Sequence, residues 1–237
     1  MIVMRAVLSS FRLDMARIGV LSGGNLVPLL IPILFAVIFS LASKGSSADF
    51  GTGGVVGSTF GVCSILPMTA FTYEWQEGHR RMNGMIPVGR AHQVVGRYLT
   101  LPVFAALMSA EIAVALGLNV LISYGDLSRM PAMLSAALPG CVWGYLALQL
   151  VMFPMLYRWT NVRKATMAFC GLFLVVFAVL MAVLTLVPEP TLDMMAQWCV
   201  DALATPAVGV GLGLGSLALV VAISLPVAIR TYRGKEL

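Results

Sequence analysis

Charged residues are spaced so widely in this chain that five stretches contain none: 18–43, 50–73, 130–157, 165–188 and 202–229, of 26, 24, 28, 24 and 28 residues. A sixth stretch, 98–125, is broken once, by Glu111. An α-helix rises ~1.5 Å per residue, so about 20 residues cross the ~30 Å hydrocarbon core of a bilayer and every one of these stretches is long enough. Only 11% of the 237 residues are charged and 59% are hydrophobic, against roughly 25% charged in a soluble domain. A soluble core cannot absorb that excess. Within hydrocarbon every backbone polar group must be paired inside the segment, which a helix does and an irregular chain does not. The expected fold is therefore an all-α membrane protein with six transmembrane helices in a single domain, residues 1–237. The spans fall at about 20–42, 53–73, 98–122, 132–156, 165–187 and 207–229.

The same spacing excludes a disordered chain, a secreted disulfide scaffold and any sizeable soluble domain. Cys63, Cys141 and Cys170 lie in predicted spans and Cys199 in an outer loop, with no close pair in sequence, so neither a metal site nor a disulfide framework is expected. A cleaved signal peptide is disfavoured too, because Arg5, Arg12, Asp14 and Arg17 precede the first apolar run over some 20 residues.

Orientation follows from the basic residues. Thirteen of the fifteen Lys and Arg fall in the termini and the even-numbered loops, and two in the odd-numbered loops, which instead carry Asp49, Asp126, Glu189, Asp193 and Asp201. Positive-inside bias of that size places both termini in the cytoplasm. The net charge of +5 is then explained by topology and by membrane lipids with anionic heads, and with no basic stripe interleaved with aromatics, no nucleic acid is expected as a partner.

Before the first span, Met4, Val7, Leu8, Phe11, Met15 and Ile18 recur at helical spacing opposite Arg5, Ser9 and Arg12, which predicts an amphipathic interfacial helix over 1–19. Trp75, Tyr98, Tyr157, Trp159 and Tyr232 fall near span ends, as an aromatic belt would place them. Between spans five and six, Thr191 to Ala204 reads as a short outer-face helix bounded by Pro188 and Pro190 before it and Pro206 after it. In span six, Gly209 and Gly213 form a small-xxx-small pair, suited either to a contact with another subunit or to internal packing.

The second loop, 74–97, holds Glu74, Glu77, Arg80, Arg81, Arg90, Arg97 and both histidines around an apolar centre of Met85, Ile86, Pro87 and Val88. A solvated loop gains nothing from that centre, whereas a docking surface rimmed by charge does. The pattern resembles the permease subunits of ABC-2 type exporters, particularly the small six-span bacterial kind. In those, an acid at the end of span two is followed by a cytosolic stretch, a Leu-Pro-Val-Ser-Arg-like element, and a short helix ending in a basic residue and Tyr. The matching positions are Glu74, then Ile86-Pro87-Val88-Gly89-Arg90, then Arg97-Tyr98, with Ile86 in place of the usual Leu and Gly89 in place of the usual Ser.

The resemblance implies a bacterial cytoplasmic (inner) membrane protein whose loop 74–97 is the cytosolic coupling loop. Glu74, Glu77, Arg80, Arg81, Met85, Ile86, Pro87, Val88 and Arg90 would then couple it to the ATPase. It also implies ABC ATPase subunits and a second permease subunit, identical or related, as partners. The sequence has no GxxxxGK[ST] phosphate loop. ATP and magnesium are accordingly expected on the partner ATPase, with no cofactor and no catalytic residue in this chain.

Within the spans, Glu111 carries a cost of about 2.5–3.5 kcal/mol on insertion scales and must face protein or water or be protonated. Asn119 lies within about 80° of the same helical face, and Gln149 is a candidate partner in span four. Two readings stand: a polar point in a substrate path or proton site, and an interhelical hydrogen bond that fixes packing. Phe169, Phe173 and Phe177 recur every four residues in span five, as a packing or lipid-facing stripe or as a pathway lining for an apolar or amphipathic substrate. The reading is thus an exporter permease for an amphipathic peptide or drug-like molecule, for which self-protection against a toxic peptide is an allied role. The alternatives are a substrate-capture membrane subunit of an importer and an intramembrane hydrolase. The last lacks a histidine or a second acid in any span.

Overall fold

The structure is a computed structural model that describes residues 2–19, 27–42, 48–75, 88–159 and 161–234. These residues form helices and connecting turns without a strand: α1 (Ile2–Ile18), α2 (Val27–Ala42), α3 (Ala48–Trp75), α4 (Arg90–Tyr98), α5 (Thr100–Tyr124), α6 (Met130–Arg158), α7 (Val162–Leu186), α8 (Glu189–Ala204) and α9 (Pro206–Arg233). Among the described residues, five stretches are long and apolar enough to cross a membrane: Thr52–Trp75, Arg90–Tyr124, Met130–Arg158, Arg163–Leu186 and Ala207–Arg233. The chain is a multi-pass membrane protein. The expected first span is represented by α2, a mostly apolar helix of 16 residues; the rest of that expectation, 20–26, lies outside the described residues.

Helix ends follow local chemistry. Gly125 closes α5 in the left-handed region at φ 77°, its N–H donating to the Leu121 carbonyl at 3.0 Å, a conformation that costs glycine nothing. In the following turn the Asp126 carboxylate accepts from both the hydroxyl and the backbone N–H of Ser128, which lowers its pKa. Asn161 caps α7 by accepting from the Arg163 N–H at 2.9 Å. The helix α8 begins two residues earlier than its sequence suggested, at Glu189. Pro190 sits in the first turn, where its missing N–H removes no helical bond, and Glu189 faces the positive end of the helix.

The chain divides into two compact units, residues 1–149 with 232–237, and residues 150–231. In the first, Phe104, Met108, Ile112, Ala115 and Leu116 recur along one face of α5 and are buried with Ala36 of α2, Val55, Cys63, Leu66 and Ala70 of α3, and Tyr145 of α6. That face is the core of the unit. In the second, Met152, Phe153, Leu156 and Tyr157 are buried and Ser224 donates to the Leu150 carbonyl, while residues 170–179 of α7 are exposed throughout.

On α1, Met4 and Leu8 are exposed, and the buried side runs through Ser10, Asp14, Met15 and Ile18. One expectation is revised by packing: of the five aromatics near span ends, Tyr98, Tyr157 and Tyr232 are buried in protein rather than displayed as a belt. The departure reflects helix packing that a single-segment hydropathy pattern does not contain.

Close approach of α1 and α4 depends on Gly96. A Cβ there would stand 2.9 Å from Ser10 Cβ and 3.0 Å from the Phe11 backbone nitrogen. We expect Gly96→Ala to force the two helices apart and to cost about 1–3 kcal/mol. The control Gly211→Ala, with open space around its Cβ, should be near neutral. Thermal melts of the two variants in detergent check the difference.

Candidate functional site

The helix α3 finishes with Glu74 in its last turn, where the unpaired helix carbonyls make a carboxylate unfavourable. A cation must offset it, and α4 supplies one. Arg97 is 3% exposed and uses its whole guanidinium edge. Its Nη1 and Nη2 donate to Glu74 Oε2 and Oε1 at 3.0 and 2.7 Å, and its Nε and Nη2 donate to Asp14 Oδ2 and Oδ1 at 3.1 and 2.9 Å. Arg17 stands 3.7 Å from Asp14 and 3.8 Å from Glu74, so two acids meet two bases. The Arg97 guanidinium also lies 4.4 Å from the centroid of the Phe71 ring, adding a cation–π contact. Planar two-pronged pairing of this kind is available to arginine and not to lysine. A single side chain therefore ties α1, α3 and α4 together.

The rest of α4 is held as closely. Ser10 Oγ donates to the Gln93 carbonyl at 3.5 Å, Gln93 Nε2 to the Val88 carbonyl at 3.1 Å, and the Tyr232 hydroxyl to Gln93 Oε1 at 3.0 Å. Arg90 Nη1 donates to the Arg233 carbonyl at 2.9 Å. At the other end, the Leu99 N–H still donates to the Val95 carbonyl and the Thr100 hydroxyl to the Arg97 carbonyl, so α4 runs into α5 through one turn residue. A displacement of α4 must then be felt by α5 directly and by α1 and α3 through Arg97.

Of the residues expected in the coupling loop, Glu74, Val88 and Arg90 belong to this assembly. Glu77, Arg80, Arg81, Met85, Ile86 and Pro87 lie outside the described residues. Sequence reasoning gave no role to Asp14, and treated Arg97 only as the close of a motif. The signal available was an acid on α1 among three arginines, which hydropathy alone does not separate from a solvated charge.

The intramembrane polar residues are all buried, but they do not pair as their spacing suggested. Glu111 Oε2 accepts from the Cys63 thiol at 3.1 Å, Asn119 Nδ2 donates to Ser40 Oγ at 2.9 Å, and Gln149 Nε2 donates to the Ser64 carbonyl at 2.7 Å. Gln149 thus bridges α6 to α3 rather than to Glu111. Phe173 and Phe177 are exposed and Phe169 is half-buried; Gly209 and Gly213 are half-buried on α9.

A family model described as ABC-2 family transporter protein matches residues 21–233, nearly the whole chain. No curated protein and no solved structure matches it significantly. The matched region includes Glu74 and Arg97 and leaves out α1, so Asp14 and Arg17 come to the charge cluster from outside it.

Removing one member of a buried charge cluster leaves the others uncompensated, at about 3–5 kcal/mol. Arg97→Met should lower the stability of the purified protein by that order, and Arg97→Lys should recover only part of it. Melting temperatures of Arg97→Met, Asp14→Asn and the double variant test the coupling: the double variant should lose much less than the sum of the singles.

Proposed function

The chain belongs to the ABC-2 family of transporter proteins, the membrane component of ABC transporters, and from that premise we propose that it is the permease subunit of an ATP-driven exporter of the bacterial cytoplasmic membrane. ABC transporters of this family work with an ATPase partner. In the proposal two ATPase subunits, loaded with ATP and magnesium, dock against loop 74–97, and a second permease, identical or related, completes the pathway. Six spans with both termini in the cytoplasm follow from the positive-inside distribution, with α2 as the cytosol-to-outside first crossing and α8 on the outer face.

The observation that carries the coupling role is the clasp on α4. The chain leaves α3 at Trp75 and returns at Val88, and the helix it enters is fixed by Arg97 to both α1 and α3. Force applied by a closing ATPase to 74–90 would reach the core face of α5 and the end of α3 together. Rigid two-helix transmission suits alternating access, in which packed helices shift as bodies rather than bend. Met4 and Leu8, exposed beside Arg5 and Arg12, support α1 as an interfacial helix on the cytosolic leaflet.

Export and the substrate class rest on the resemblance of the coupling-loop motif and on soft, exposed apolar surface. Phe173 and Phe177 with Met167 and Met181 give α7 a polarisable face suited to an amphipathic peptide or drug-like molecule, or to the second permease. An importer capture subunit would instead bind its ligand tightly when isolated.

Affinity purification of the tagged protein in mild detergent should recover an ATPase chain bearing a phosphate loop; recovery of the permease alone, holding a small ligand, would favour the capture subunit. With the complex in hand, Arg90→Glu reverses the charge at the start of α4 and removes its bond to Arg233. We expect it to abolish substrate-stimulated ATP hydrolysis while membrane insertion, read by protease protection, stays at the parental level. Normal stimulation in that variant would exclude this end of α4 from coupling.

A further inference from the structure

Polar atoms inside a membrane protein that find no partner cost several kcal/mol each in hydrocarbon-like surroundings. The meeting of α3, α5 and α6 holds four of them. Ser64 Oγ, Glu111 Oε1, Tyr145 Oη and Gln149 Oε1 are enclosed and have no hydrogen-bond partner among the described residues. Their residues are all at least nine-tenths buried: Tyr145 and Gln149 completely, Ser64 and Glu111 at 7% and 8% exposure.

They are also neighbours. Cys63, next to Ser64 in the chain, donates to Glu111, and Gln149 donates to the Ser64 carbonyl. Tyr145 lies one turn before Gln149 on α6 and packs in the same core as Cys63. Three helices therefore bring residues with a carboxylate, an amide and two hydroxyls into one buried region.

The unused hydrogen-bonding capacity defines the ligand. The Gln149 amide nitrogen is committed to Ser64, so its Oε1 offers lone pairs alone; an ionised Glu111 does the same with Oε1. The Ser64 and Tyr145 hydroxyls donate and accept. A matching ligand must donate at two points and also accept, as water does, and buried waters make about three hydrogen bonds to groups of this kind. A hard metal ion fits less well, since calcium-like ions take 6–8 oxygens while this junction offers four beside a thiol. We propose that Ser64, Glu111, Tyr145 and Gln149 form a buried hydration site that binds ordered water between α3, α5 and α6. The site is independent of the transport reading and assigns to Glu111 a bound-water partner in addition to Cys63.

X-ray radiolytic footprinting of the full-length protein in lipid nanodiscs tests this, because hydroxyl radicals made from bound water label only side chains beside it. Once labelling is normalised to each side chain's intrinsic reactivity towards hydroxyl radical, Tyr145 and Cys63 should stand several-fold above Phe104, which is similarly buried. In the double variant Ser64→Ala/Gln149→Leu both should fall to the Phe104 level. Unlabelled Tyr145 and Cys63 in the parent would show a dry junction and overturn the proposal. Labelling unchanged in the double variant would place the water elsewhere, and labelling that collapses when sodium is replaced by choline would mark a metal-ion site; either result overturns it. Should the double variant fail to fold, Tyr145→Phe supplies the same comparison, with loss of Cys63 labelling expected and its persistence contrary.

Discussion

Arg97 is the interaction on which the meeting of α1, α3 and α4 in the first unit depends. Glu74 ends a helix at its negative pole and Asp14 lies among buried residues of α1, so neither acid has a reason to be buried without a base between them. The guanidinium donates to both in fork geometry, with Phe71 beneath it and Arg17 alongside. Because paired burial of this kind gives little net stability but a large penalty when broken, its main effect is to fix which helices meet and in what register. Gly96, with no room for a Cβ, lets α1 come close enough for Asp14 to reach.

From that anchor the mechanical layout follows. The helix α4 is short, amphipathic and continuous in direction with α5, whose buried face forms the core with α2 and α3. A displacement of α4 therefore reaches the core face of α5 directly. Of the three helices that the charge cluster ties together, α3 also carries Cys63 and Ser64, which with Glu111 of α5 and Tyr145 and Gln149 of α6 form a region where polar groups are only partly matched. Charge pairing is thus complete where α1, α3 and α4 meet and incomplete farther along α3.

Much of this was legible in the amino-acid order, but unevenly. Charge-free runs located the helices from 53 onward to within a few residues at most ends, because the penalty for a charge in hydrocarbon makes Glu74, Asp126, Arg129 and Arg158 dependable boundaries. The motif from Glu74 to Tyr98 pointed to the family that the whole-chain match shows. Where reasoning stopped short, the missing information was the neighbour. Asp14 looks like a surface acid on its own helix; Cys63 looks like a small apolar residue; Gln149 looks like a partner for Glu111. In each case the observed partner is 48 to 85 residues away, and no spacing rule along one helix reaches that far.

The sequence by itself determined that this chain lives in a membrane as a set of helices, where most of them begin and end, and which connecting segments carry positive charge. These are properties of single segments against a known solvent, set by transfer free energy and by the need to pair the backbone internally. Tertiary structure alone decided that Asp14 and Glu74 share Arg97, that three of the belt aromatics turn inward, and that Glu111 meets a thiol. Those outcomes depend on which helix faces meet, a choice governed by close packing and by the pairing of a few buried polar groups, and hydropathy is nearly blind to both.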